Sequence, residues 1–127
     1  MSSADYQEAA ELRSVLRRFL RRSEEIARRH RLTPRQYLLL LMIKAREDSP
    51  TQATITDLVE RLALTQSTIT ELVQRAEEAG LVARRPSPSD GRVTHLSLTP
   101  VGTERLKAAF EELGPEREQL LAMFRDA

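Results

Sequence analysis

The residues with most chemistry to offer lie in two short stretches. In RRPSPSDGRVTHLSLT, residues 84–99, Asp90 precedes Arg92 by two positions, with Gly91 between them and Ser89 before them. A carboxylate at that spacing can fix the guanidinium, while the prolines stiffen the surrounding loop and Gly91 permits a tight tip. In TQSTITELVQR, residues 65–75, Thr65, Gln66, Ser67, Thr68, Thr70, Glu71, Gln74 and Arg75 gather short hydrogen-bonding groups around a helix start. Such groups reach base edges in a major groove, and free N–H groups at a helix N-terminus favour a phosphate. Each threonine or serine taken singly is also explained by capping and solvation. Ser87-Pro88 is a possible phosphorylation site, with no supporting partner in the sequence.

Other chemistries find no residues to perform them. The two histidines, His30 and His95, stand far apart on different predicted elements, and no metal-ligand cluster, nucleophile motif or phosphate-cradling glycine loop appears. The chain has no cysteine, which excludes disulfides, thiolate metal sites and thiol redox sensing. No catalytic residue, metal or cofactor is therefore expected. The start, MSSADYQEAAELR, lacks a basic segment followed by an apolar one, and the longest wholly apolar run, residues 37–43, is too short to span a bilayer. The expectation is a cytoplasmic protein with no membrane partner.

Net charge is only +1, but its distribution is uneven. Residues 11–35 hold nine arginines against three glutamates, whereas residues 54–80 hold five acids against two arginines. Residues 84–98 return to excess base, with Arg84, Arg85 and Arg92 against Asp90. Of the 20 cations 18 are arginine. That bias suits bidentate phosphate or carboxylate recognition, and arginine-rich codon usage explains it equally well.

These residues need elements to position them. Leu12, Val15, Leu16, Phe19 and Leu20 recur at helical spacing and predict a long amphipathic helix over residues 4–29. Thr33, Pro34 and Gln36 form a capping-box start to an apolar, buried helix. Thr54 with Asp57, and then Thr65, open two short helices separated by Ala63-Leu64, a helix-turn-helix spacing. Gly80 ends the second of them. Two β-like pieces, residues 81–85 and 93–98, flank a loop too long for a two-residue turn. Thr99-Pro100 then starts a helix carrying Leu106, Phe110 and Leu113, and after Gly114-Pro115 a last helix carries Leu120, Leu121 and Phe124. The fold class is mainly α with a small β-hairpin wing: a winged helix-turn-helix flanked by N- and C-terminal helices. One domain, residues 1–127, divides into a first helical region over 4–31, a winged helix-turn-helix over 33–98 and C-terminal helices over 99–127. Within the middle part the recognition helix takes residues 65–79 and the wing residues 81–98.

A first helix of about 25 residues would run close to 40 Å, longer than a lobe of this size can cover. Its stripe of Leu12, Val15, Leu16 and Phe19, with Leu106, Phe110, Leu113, Leu120, Leu121 and Phe124, predicts a homodimer interface.

Residues 53–102, ATITDLVERLALTQSTITELVQRAEEAGLVARRPSPSDGRVTHLSLTPVG, resemble the multiple-antibiotic-resistance-regulator (MarR) family of winged-helix repressors. Asp90-Gly91-Arg92 between GLVARRPSPS and LSLTPVG carries the likeness most specifically. The resemblance implies a homodimer that binds a palindromic operator in double-stranded DNA and represses transcription. Residues 65–75 would face a major groove, and the wing, with Arg85, Ser89, Gly91 and Arg92, would contact DNA. Arg92 would enter the minor groove, held by a salt bridge from Asp90. It also implies release by a small aromatic or phenolic effector, for which Arg35 and Tyr37 are candidates, although Tyr37 reads more readily as core. Three positions depart from the family pattern. Glu71 stands where a basic residue is common, so it either accepts from cytosine N4 or pairs with a nearby arginine. Ala63 replaces a turn glycine, and Ala76 replaces a larger apolar residue. The alternative is a winged-helix protein–protein interaction module without operator binding.

Overall fold

Threonine side chains set most of the helix starts. The computed structural model describes residues 1–47, 49, 52–88 and 91–125. In chain order these form α1 (Ser3–Arg29), α2 (Pro34–Ala45), α3 (Ile55–Leu62), α4 (Gln66–Glu78), β1 (Val82–Pro86), β2 (Thr94–Leu98), α5 (Pro100–Glu112) and α6 (Gly114–Arg125). Thr33 Oγ1 accepts from the Gln36 N–H at 3.1 Å while Gln36 Oε1 accepts from the Thr33 N–H at 3.0 Å, completing the expected box. Thr65 Oγ1 accepts from Thr68 N–H at 3.2 Å and Thr99 Oγ1 from Gly102 N–H at 3.0 Å.

The box expected at Thr54 forms only in half. Thr54 Oγ1 accepts from the Asp57 N–H at 3.1 Å, but the Asp57 carboxylate turns elsewhere. It pairs with Arg46 at 3.2 Å and Arg61 at 3.5 Å, and Arg61 also donates to the Met42 carbonyl at 2.9 Å. This network fastens α3 across the C-terminal end of α2.

Around α2 the core closes. Leu39, Leu40 and Ile43 meet Ile26 of α1, Leu58 of α3, Ile69 and Val73 of α4, and Leu96 of β2. Ala76 lies fully buried in the same cluster, so its small side chain matches the close approach of α4 to its neighbours. Burying side chains of this size supplies most of the drive to fold. At the far end of α1, Glu112 of α5 receives Arg29 at 3.1 Å and His30 at 3.4 Å. Desolvation pushes the Glu112 carboxyl up, and those two donors outweigh it, holding it below its ordinary value.

The hairpin is antiparallel, with Val82 opposite Leu98 and Pro86 opposite Thr94. Pairing runs two residues past the expected strand end at residue 85, because the Ser87 N–H donates to the Val93 carbonyl at 2.8 Å. Counting back from that hydrogen-bonded pair, Pro86 falls at a non-bonded position, where its missing N–H costs nothing. The far edge of β2 is used too: Leu96 N–H donates to the Ala53 carbonyl at 2.9 Å.

Two positions show strict backbone demands. At Gly102 a Cβ would lie 2.2 Å from the Leu81 carbonyl oxygen, so α5 can approach the base of the hairpin only through a glycine. At Ala63 the turn between α3 and α4 adopts φ 53°, ψ 40°, the left-handed conformation that an L-side chain resists. With alanine in place of glycine, this turn carries the left-handed strain of a side chain.

Opposite stability effects follow at these sites. Gly102→Ala should destabilise the fold by about 2–3 kcal/mol, the usual scale of a forced backbone shift in a packed region. Ala63→Gly should stabilise it by about 0.5–1 kcal/mol, since relief of about 1–2 kcal/mol of left-handed strain exceeds the added chain entropy of glycine. Denaturant unfolding followed by circular dichroism measures both; a more stable Gly102→Ala or a less stable Ala63→Gly would contradict the geometry.

Candidate nucleic-acid interface

A solvent-facing side of α4 is the most polar helical surface adjoining the hairpin. Ile69, Leu72, Val73 and Ala76 turn inward, fully or in part. The 3.6-residue period therefore places Gln66, Ser67, Thr70, Glu71, Gln74 and Arg75 in solvent, with Thr65 exposed at the cap and Thr68 half-buried beside it. Thr65 Oγ1 also donates to Thr68 Oγ1 at 2.8 Å, so these two hydroxyls are engaged in the cap.

Charges on α4 are paired along the helix. Arg75 Nη2 donates to Glu71 Oε1 at 2.6 Å, one turn away, and Gln74 Nε2 donates to Glu78 Oε1 at 3.4 Å. Of the two sequence readings of Glu71, the arginine pair is formed in the free chain. Arg84 Nε donates to Glu77 Oε1 at 3.1 Å, clamping β1 to the C-terminal turn of α4. Spacing alone did not reveal this clamp, because it joins residues on two elements.

The hairpin projects beyond this clamp. Arg85 and Arg92 are exposed, and Arg85 sits opposite His95 in the ladder. The last described hydrogen bond of the ladder joins the Ser87 N–H to the Val93 carbonyl. Gly91 lies in open space, where an added Cβ would meet nothing within 4 Å. Ser89 and Asp90, and with them the expected bridge to Arg92, lie outside the described residues.

A groove of about 450 Å³ runs between the start of α2 and α4, lined by Thr33, Arg35, Gln36, Thr68, Glu71 and Arg75 among others. Arg35 thus lies beside the exposed face of α4 and not with Tyr37. Tyr37 is only 5% exposed, and burial raises its phenol above the ordinary value against the nearby Arg117. Two positions apart on a helix, the two side chains diverge by about 200°. Arg35 and Tyr37, both candidates for an effector, therefore lie on different faces of α2.

The opposite end of the chain is apolar and uncovered. Leu12 is 46% exposed and Phe124 59%, with Tyr6, Leu20, Phe110 and Met123 also open. Val15, Leu16, Phe19, Leu120 and Leu121 are half-buried. A cleft of about 420 Å³ between α1 and α6 is lined by Val15, Phe19, Leu120 and Met123, and Arg22 bridges it to Glu116 at 3.3 Å. Leu106 and Leu113, expected on the same surface, are instead 4% and 3% exposed. They share the inward face of α5 with Ala109, so they belong to the core of the protomer itself.

Among the described residues no helix is long and apolar enough to cross a membrane, and no group of three or more His, Cys, Asp or Glu side chains could hold a metal.

The model of a family described as MarR matches residues 30–93, half of the chain. Solved structures with the same fold include apo MarR from E. coli, 22% identical over 91% of this chain and 82% of that one, with a TM-score of 0.74. A MepR–DNA complex from S. aureus is 18% identical over 91% and 82%, with a TM-score of 0.72. The transcription regulator MarR from Oenococcus oeni PSU-1 is 20% identical over 94% and 84%, with a TM-score of 0.67. At these identities the likeness is one of fold. No curated protein sequence matches the chain.

Proposed function

The chain belongs to the MarR family, and on that premise we propose that it is a homodimeric, sequence-specific DNA-binding regulator that represses transcription from a palindromic operator. The observation that carries this reading is the pairing of a polar α4 face with an adjoining basic hairpin, the two clamped by Arg84 and Glu77. One of its fold relatives, MepR of S. aureus, was solved as a complex with DNA.

In this reading α4 enters the major groove from its N-terminal end, with Gln66, Ser67, Thr70, Glu71, Gln74 and Arg75 toward base edges. Thr65 and Thr68 fix the helix start against the backbone. Arg92, with Asp90, Ser89 and Gly91 around it, reaches the minor groove, and Arg85 contacts the phosphates. Because α4 carries more acid than base, phosphate affinity falls to the wing and to Arg35 at the rim of the groove. A small aromatic or phenolic effector fits that same groove, where it would compete for Arg75.

Dimerisation uses the uncovered apolar end. Leu12, Val15, Leu16, Phe19, Phe110, Leu120, Leu121 and Phe124 would be covered by their counterparts in a second copy. The 27-residue α1 overhangs the lobe by its first half, where residues 3–14 are all exposed. Two lobes related by a two-fold axis would meet half-sites about 10 bp apart.

Light scattering is expected to return twice the protomer mass at micromolar concentration; a folded monomer there would remove the dimer. Fluorescence anisotropy on duplexes selected from genomic DNA should show affinity falling steeply with salt. Arg92→Ala should weaken binding at low salt and flatten the log–log salt slope by about 1, with unaltered thermal unfolding. Little affinity for any duplex would favour the protein–protein interaction module instead.

A further inference from the structure

The middle of the exposed α4 face holds a carboxylate, and in a DNA reader that placement is selective. Glu71 is 61% exposed, with Gln66, Ser67, Thr70 and Gln74 around it in a shallow surface depression. A carboxylate there is repelled by phosphates, so it gains only from groups that donate hydrogen bonds. The major groove offers two kinds: the N4–H₂ of cytosine and the N6–H₂ of adenine.

Arg75 decides between them. Its Nη2 donates to Glu71 Oε1 at 2.6 Å, which orients the guanidinium along the same face, and the rest of its five-donor fork is not used by that bond on a side chain that is 70% exposed. Glutamate at the N-terminal position of an i,i+4 pair is the favourable order, so both side chains are held in register. Side by side they present an acceptor and a fork of donors. A C·G pair presents the complement, the cytosine donor next to the guanine O6 and N7 acceptors, and arginine prefers guanine over every other base.

We infer that Glu71 and Arg75 form a base-reading pair, with Glu71 accepting from cytosine N4 and Arg75 donating to guanine O6 and N7. Each operator half-site then carries one C·G pair in a fixed orientation. The inference rests on the DNA-reading role proposed above and adds the base class to it. Glu71 also acts against the wrong sequence: opposite guanine O6 or thymine O4 its oxygens meet acceptors, and binding there is penalised.

Selection of bound duplexes from a random library, run with the unsubstituted chain, Glu71→Gln and Arg75→Ala, tests this. An exposed i,i+4 pair adds little to stability, so both variants should melt with the parent by circular dichroism. The unsubstituted chain should enrich a two-fold motif with one invariant C·G pair per half-site. Glu71→Gln should lower the preference for cytosine at that position by about tenfold or more, leave neighbouring positions unchanged and raise affinity for unselected duplex. Arg75→Ala should relax the same base pair. If Glu71→Gln keeps the motif intact and shifts affinity by one factor for all sequences, the pair is only a solvated bridge and the inference is overturned. If the unsubstituted chain enriches no motif, the DNA-reading role itself fails and the inference falls with it.

Discussion

Helix α4, the hairpin and the C-terminal helices are joined where α5 passes the Leu81 carbonyl, a contact that leaves room for no side chain at Gly102. Three elements begin or end within a few ångströms of it. Gly80 terminates α4 in the left-handed conformation at φ 75°, and Leu81 leads into β1. Thr99 bonds to the Gly80 carbonyl through its hydroxyl and to the Leu81 carbonyl through its N–H, while capping α5 at Gly102. The direction of α4 is therefore tied to that of α5 by backbone groups and not by adaptable side chains. Whatever fixes α5 and α6 also fixes the surface that α4 presents.

Charge is divided between surfaces in a way that suits that arrangement. The arginines of α1 are partly spent within the protomer, Arg22 on Glu116 and Arg29 on Glu112, which hold α1 against the last two helices. The acids of α4 are spent as well, Glu71 on Arg75 and Glu77 on Arg84. The last of these pairs sets the hairpin against the helix.

Much of this architecture can be read from local sequence, because its signals are local. The caps at Thr33, Thr65 and Thr99 need only a side chain three residues from the N–H it receives. Where a tertiary partner competes, local reading falls short: Asp57 leaves its half of the box for Arg61, one helical turn on, and for Arg46 across on α2, which no spacing rule contains. The ladder continues past residue 85 where composition suggests a loop, since Pro86 occupies the one kind of ladder position that tolerates it. Leu106 and Leu113 match an apolar stripe, but which stripe of α5 faces inward depends on α2 and α1. The separation of Arg35 from Tyr37 was legible all along, as two residues on a helix point to opposite sides. Why Arg35 borders the exposed face of α4 was not, because only the packing of α2 on α4 brings it there.

The acidic bias of α4 has a kinetic side. In a genome almost every duplex a regulator meets is the wrong one, and attraction to phosphates alone makes it linger. In the proposed role, an α4 bearing Glu71, Glu77 and Glu78 against Arg75 would have a weak grip on such sequence. Dwell times on random DNA would shorten, fewer copies would be held in reserve on the chromosome, and the freely diffusing pool would grow. Such a chain would search by frequent release and recapture more than by long sliding runs.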